Sequence, residues 1–217
     1  MQIDFEKREI QLKLVYYGPG LSGKTTNLVY IHRQVAPSSR GRLMTLETKN
    51  DRTLFFDLLP MNFETESGIT IALKLFTVPG QVIHDATRRL VLQGADSVAF
   101  IADSQVSETA ANRESFLNLK KNLTENGMDM KGMPVIIQFN KRDLPNIRSD
   151  QEIDMLAQKG REPIYKAVAT TGEGVIETFL GLLELTWKRL NTWHDLEGKF
   201  KVDGNTIINT LKRQMSK

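Results

Sequence analysis

LKLVYYGPGLSGKTTNL, residues 12–28, decides how the rest of the chain is read. An apolar run with β-forming residues stops at Gly18, and a helical pattern begins at Lys24. Between them the chain matches G-x-x-x-x-G-K-[ST], with Gly18, Gly23, Lys24 and Thr25 in the fixed places. Glycines let such a loop wrap until successive backbone N–H groups face phosphate oxygens. The helix that follows adds its positive end. Lys24 is then the cation for the outer phosphates and the Thr25 hydroxyl a ligand for Mg²⁺. The candidate cradle comprises Gly18, Gly20, Leu21, Ser22, Gly23, Lys24, Thr25 and Thr26. A strand–loop–helix of this kind implies binding of a nucleoside triphosphate.

Working outward, short apolar runs alternate with helical patterns, which predicts an α/β fold with a mostly parallel sheet. Strands are expected over 12–17, 53–59, 69–78, 97–102, 134–139 and 164–168, and helices over 24–34, 85–92, 108–126, 150–158 and 173–190. That is about six strands flanked by about five helices. Ile3 and Phe5, with the alternation that follows, add one N-terminal edge strand or lengthen the first. After Trp193 the sequence turns polar, and Ile207, Ile208, Leu211 and Met215 predict a short amphipathic helix opened by Asn205. The expected division is a main domain over 1–191 and a C-terminal extension over 192–217. The extension docks on its own domain, meets a partner or membrane surface, or is disordered.

The 217 residues are 40% hydrophobic and 25% charged, enough for one domain with a core. The absence of cysteine excludes disulfides and thiolate metal sites. A net charge of +3 is too small to argue for nucleic acid, and none is expected as a partner. No run approaches the roughly 18 apolar residues of a membrane span. The N-terminus lacks the apolar centre of a signal peptide, and neither end carries a lipidation signal, so the expected location is cytoplasmic.

A later apolar run, MPVIIQF, ends in Asn140, Lys141, Arg142 and Asp143. A carboxylate at Asp143 can accept two hydrogen bonds from the Watson–Crick edge of guanine, which adenine cannot supply. An ATPase or kinase reading therefore conflicts with Asp143. Downstream, the Ala169 backbone N–H is placed to support the guanine carbonyl. Between these motifs, "FTVPGQ" puts Gly80 at a turn and Gln81 where an amide can orient an attacking water. Thr53, after a long polar connection, is a candidate ligand for Mg²⁺. GTP-binding switches usually carry aspartate in D-x-x-G; the corresponding residue is Thr77, which can reach Mg²⁺ only through a water and brings no charge. Weaker Mg²⁺ retention is the expected result.

The segments VYYGPGLSGKTTNL, RTLFFDLLP, TVPGQ, FIADSQ, NKRDLPN and VATTGEGV together resemble the Ras-superfamily small GTPases, and among them the MglA-like bacterial polarity and gliding-motility GTPases. The resemblance runs over roughly residues 9 to 185. It implies a Ras-like P-loop GTPase domain with Mg²⁺ and bound GTP or GDP, and it makes threonine at position 77 a family trait. It also implies that Arg52 assists catalysis beside Gln81 and Lys24. Slow hydrolysis would be stimulated by a roadblock-domain activator, an MglB-like homodimer. GTP-loaded protein would bind polarity or motility effectors and engage cytoskeletal or membrane-associated machinery, with recruitment to cell poles or the inner face of the membrane. Against this stands a nucleotide-dependent scaffold with negligible hydrolysis, supported by Thr77.

Overall fold

The computed structural model describes residues 1–47, 55–80 and 84–215. Its centre is an eight-stranded mixed sheet. The strands are β1 (Gln2–Asp4), β2 (Glu9–Tyr17), β3 (Met44–Glu47), β4 (Phe55–Glu64), β5 (Thr70–Thr77), β6 (Ser97–Asp103), β7 (Val135–Asn140) and β8 (Ile164–Lys166). They lie in the order β3-β4-β5-β2-β6-β7-β8. From β5 to β8 neighbouring strands are parallel, whereas β3 and β4 form an antiparallel hairpin whose second strand runs antiparallel to β5. β1 pairs with residues 9–11 of β2. β6 pairs with residues 14–17 of β2, so both expectations for the N-terminus hold: one extra strand and a longer first one.

The helices are α1 (Lys24–Gln34), α2 (Asp85–Leu92), α3 (Thr109–Glu125), α4 (Asp150–Lys159), α5 (Val175–His194), α6 (Leu196–Phe200) and α7 (Gly204–Met215). The alternation of β2 explains the layering. Ile10, Leu12, Leu14 and Tyr16 join a core with Leu28 and Ile31 of α1, Phe179 and Leu183 of α5, and Leu211 of α7. Val15 and Tyr17 point to the opposite face, into a core with Val91 and Leu92 of α2, Leu119 and Leu123 of α3, and Ile153 of α4. Both faces of the sheet are covered, as parallel strands require.

Two strands differ from the sequence expectation, and the short helix α6 was not expected. β4 runs on through Pro60 to Glu64 instead of stopping at Leu59. The Pro60 carbonyl accepts from Gly41 N–H at 2.8 Å and Asn62 N–H donates to Ser39 O at 2.8 Å, so this parity of β4 faces outward, beyond the end of β3. Proline's missing donor falls on that outer side and breaks no bond to β5. β3 lies within what reads as polar connection; four residues on an edge carry too little pattern to announce a strand.

Residues 196–215 fold onto the domain. Leu196, Phe200, Val202, Ile207, Ile208, Leu211 and Met215 are buried in the same core as α1 and α5. α7 begins at Gly204, one residue before expectation, and Asp203 accepts from Thr206 N–H at 2.8 Å. No helix among the described residues is long and apolar enough to cross a membrane.

Candidate functional site

The carboxyl ends of β2, β5, β6, β7 and β8 bring the sequence motifs to one edge of the sheet, where ligands of open α/β sheets bind. The loop from Gly18 leaves β2 and enters α1 at Lys24. Gly23 caps α1 with φ 95°, and a Cβ there would lie 2.2 Å from Asn140 Nδ2, so both conformation and space require glycine. α1 has no side-chain cap and no acid in its first turn, an end suited to an anion. Ser22 is fully buried and its hydroxyl has no hydrogen-bond partner among the described residues, an orphan donor inside the loop.

Lys24 is 7% exposed, and its ammonium donates to Gly18 O at 3.0 Å and Pro19 O at 2.6 Å. Burial, joined by the nearby Arg88 cation and opposed by Asp57, pushes its pKa down to about 8. Behind the loop, Asn27 donates to Gly23 O at 2.9 Å. Gln138 of β7 ties Asn27 at 3.0 Å to Thr178 of α5 at 2.9 Å. The cradle is thus held from behind by a buried amide chain.

At the other end of the loop, Asp57 of β4 gathers the hydroxyls. Its Oδ2 accepts from Thr25 Oγ1 at 2.6 Å and from Thr77 Oγ1 at 2.9 Å, and its Oδ1 from Thr45 Oγ1 at 3.0 Å. Asp57 N–H donates in turn to Thr77 Oγ1 at 2.8 Å. A carboxylate therefore stands beside Thr77, one strand over from the place where D-x-x-G would put it. The signal was present in RTLFFDLLP. Asp57 shares its parity with Leu59, Met61 and Phe63, all fully buried, so an acid at that position faces the core side and needs a reason.

Gly80 sits against the cradle: a Cβ on it would lie 2.3 Å from Gly20 Cα. A cavity of about 480 Å³ opens beside them, bordered by Arg88 of α2 and Ser115 and Asn118 of α3. Arg52, Thr53 and Gln81 lie outside the described residues.

On the base side, Asn140 is buried and bridges three loops. Its Nδ2 donates to Ser22 O at 2.8 Å and its Oδ1 accepts from Ala169 N–H at 2.9 Å. The Ala169 N–H expected to meet a guanine carbonyl is thus engaged by Asn140. Lys141 pairs with Asp103, and Asp143 is exposed in the turn that follows.

No protein-family model matches the chain. Over 188 residues it is 47% identical to the mutual gliding-motility protein MglA of Myxococcus xanthus (strain DK1622), an alignment covering 87% of this chain and 96% of that protein. The chain belongs to the MglA-like small GTPases. Members of this family use a guanine nucleotide with Mg²⁺, and the residues here fit both. The loop offers an uncapped helix end, a cation and an orphan hydroxyl to phosphate. The threonine hydroxyls and the Asp57 carboxylate are the hard oxygen donors that Mg²⁺ prefers, either directly or through its waters.

Proposed function

We propose that this protein is a GTP-hydrolysing molecular switch governing cell polarity and gliding motility, binding effectors when GTP-loaded. The observation that carries the reading is the junction at Asp57, which joins the phosphate-loop threonine to the strand that leads into the TVPGQ turn. Thr25 and Thr53 would hold Mg²⁺, with Asp57 and Thr77 steadying its waters; the ion would offset charge on the phosphates. Lys24 would reach the β- and γ-phosphates, leaving its loop carbonyls. Gln81 orients the attacking water, and the Arg52 guanidinium offsets charge developing on the transferred phosphoryl group. Asp143 selects guanine by accepting from its edge.

Hydrolysis relaxes the segments around Arg52–Thr53 and Gly80–Arg88, and with them the effector surface. Similarity to MglA supports regulation by a roadblock-domain activator and action at cell poles or on membrane-associated machinery. The deciding experiment is GTP turnover by purified protein, alone and with that activator, for wild type and Gln81→Ala. Stimulated turnover lost in the variant is expected. Tight GTP binding with no turnover in either condition would replace the enzyme by a nucleotide-dependent scaffold.

A further inference from the structure

Asp103 closes β6 and is 4% exposed, a carboxylate taken out of water beside the strand that ends at Asn140. Such a group is stable only when fully partnered. Its Oδ2 accepts from Lys141 Nζ at 2.6 Å and its Oδ1 from Gln105 N–H at 3.0 Å. The Lys141 side chain is 27% exposed, and its backbone is left-handed at φ 65°, a conformation that disfavours any residue with a Cβ. The two residues follow one another across the sheet, because Asp103 is in register with Asn140. Lys141 is therefore fixed at both ends: its backbone by the strained turn after β7, its ammonium by a buried acid on β6. Between these points the methylene stem spans the gap between the two strand ends, two residues before Asp143.

We propose that Asp103 is a positioning residue for nucleotide retention, which anchors the Lys141 ammonium so that its apolar stem forms a fixed wall of the base pocket. This rests on the guanine-site reading given above. A free lysine stem must surrender its rotamers each time a base is bound, whereas an anchored one has already done so. The anchor also neutralises the lysine, so Lys141 works here by shape and not as a charge for phosphate. An advantage of this kind appears chiefly in the dissociation rate.

The test is release of a fluorescent mant-GDP from the full chain in the presence of Mg²⁺. Asp103→Asn removes the charge and keeps the shape, and release is expected to rise about tenfold, the scale of one lost charge-assisted hydrogen bond. In a Lys141→Met background the same change is expected to matter less than about twofold, since nothing remains to anchor. Asn112 holds the Asp103 backbone from both sides, at 3.0 and 2.8 Å, without touching the carboxylate. Asn112→Ala is expected to lower the melting temperature and leave release within about twofold of wild type. Wild-type release from Asp103→Asn would overturn the anchor, as would an equal rise in the Lys141→Met background or from Asn112→Ala. If Asp103→Asn does not fold, Asp103→Glu, which keeps the charge and misplaces it, decides in the same way. Failure of wild type to take up mant-GDP would overturn the guanine-site reading itself, and this inference with it.

Discussion

Lys24 is nearly buried and shares its surroundings with the Arg88 cation, so a residue that works by its charge is held where that charge is disfavoured. Its folded pKa of about 8 lies below the ordinary lysine value, so the unfolded chain holds the extra proton between the two. The penalty on stability is full below about pH 8 and is relieved as pH rises toward the unfolded value. Phosphate favours the charged form. GDP affinity is therefore expected to fall as pH is raised from about 7 to about 9, with calorimetry showing proton uptake on binding. Lys24→Arg, which stays charged, is expected to flatten this dependence; a dependence unchanged in the variant would assign it elsewhere. Asp57 carries the second prediction. Asp57→Asn is expected to weaken Mg²⁺ affinity about tenfold, read from the Mg²⁺ needed to slow nucleotide release. Adding Thr77→Asp is expected to restore it, since the carboxylate then stands on the neighbouring strand. Identical Mg²⁺ dependence in wild type and Asp57→Asn would remove Asp57 from the metal site.

Between elements, α2 and α3 share an apolar core and are also tied by a polar network. Asp85, the first residue of α2, accepts from Asn118 at 2.7 Å and from fully buried Asn122 at 2.9 Å, and both amides also meet the Tyr17 hydroxyl. Burial opposes ionisation of Asp85, but the amide donors, with Arg88 and Lys121, hold its carboxyl below the usual range. Asn122→Ala is expected to cost about 1–3 kcal/mol in denaturant unfolding, because Asp85 and Tyr17 lose a buried donor. A change within about 0.5 kcal/mol would show that water replaces the amide. This network was not legible in the sequence, since its members lie on three elements and no spacing links Tyr17 to Asp85, Asn118 and Asn122. α1 and α2 were legible to the residue, because their apolar spacing is interrupted on both sides by turn residues. β3 and the far half of β4 were not, for pairing that skirts a proline depends on where the neighbouring strand stops. The candidate phosphate and base loops announce themselves by spacing, whereas Asp57 and Asp103 come beside them only through sheet register.

For the whole molecule, α7 joins what the chain separates. Its Gln214 accepts from Ala36 N–H at 2.9 Å and from the Ser39 hydroxyl at 2.6 Å, and Ser39 O accepts from Asn62 N–H on β4. Leu211 of α7 is fully buried. Leu211→Ala is expected to cost about 2–5 kcal/mol, and amide exchange at Ala36 and Asn62 to quicken together. Exchange that quickens in α7 alone would show that the helix does not brace the connection between α1 and β3. The same contact has a consequence for how the protein is made. Ser39 and Gln214 are 175 positions apart, so a ribosome must add all the residues between them before the partner of Ser39 exists. Until then the part of the core that α7 covers is a bare apolar flank on the nascent chain. Closure of that layer therefore follows synthesis of β2 and α1 by a long interval, and a nascent chain interrupted before α7 is exposed to aggregation at that stage.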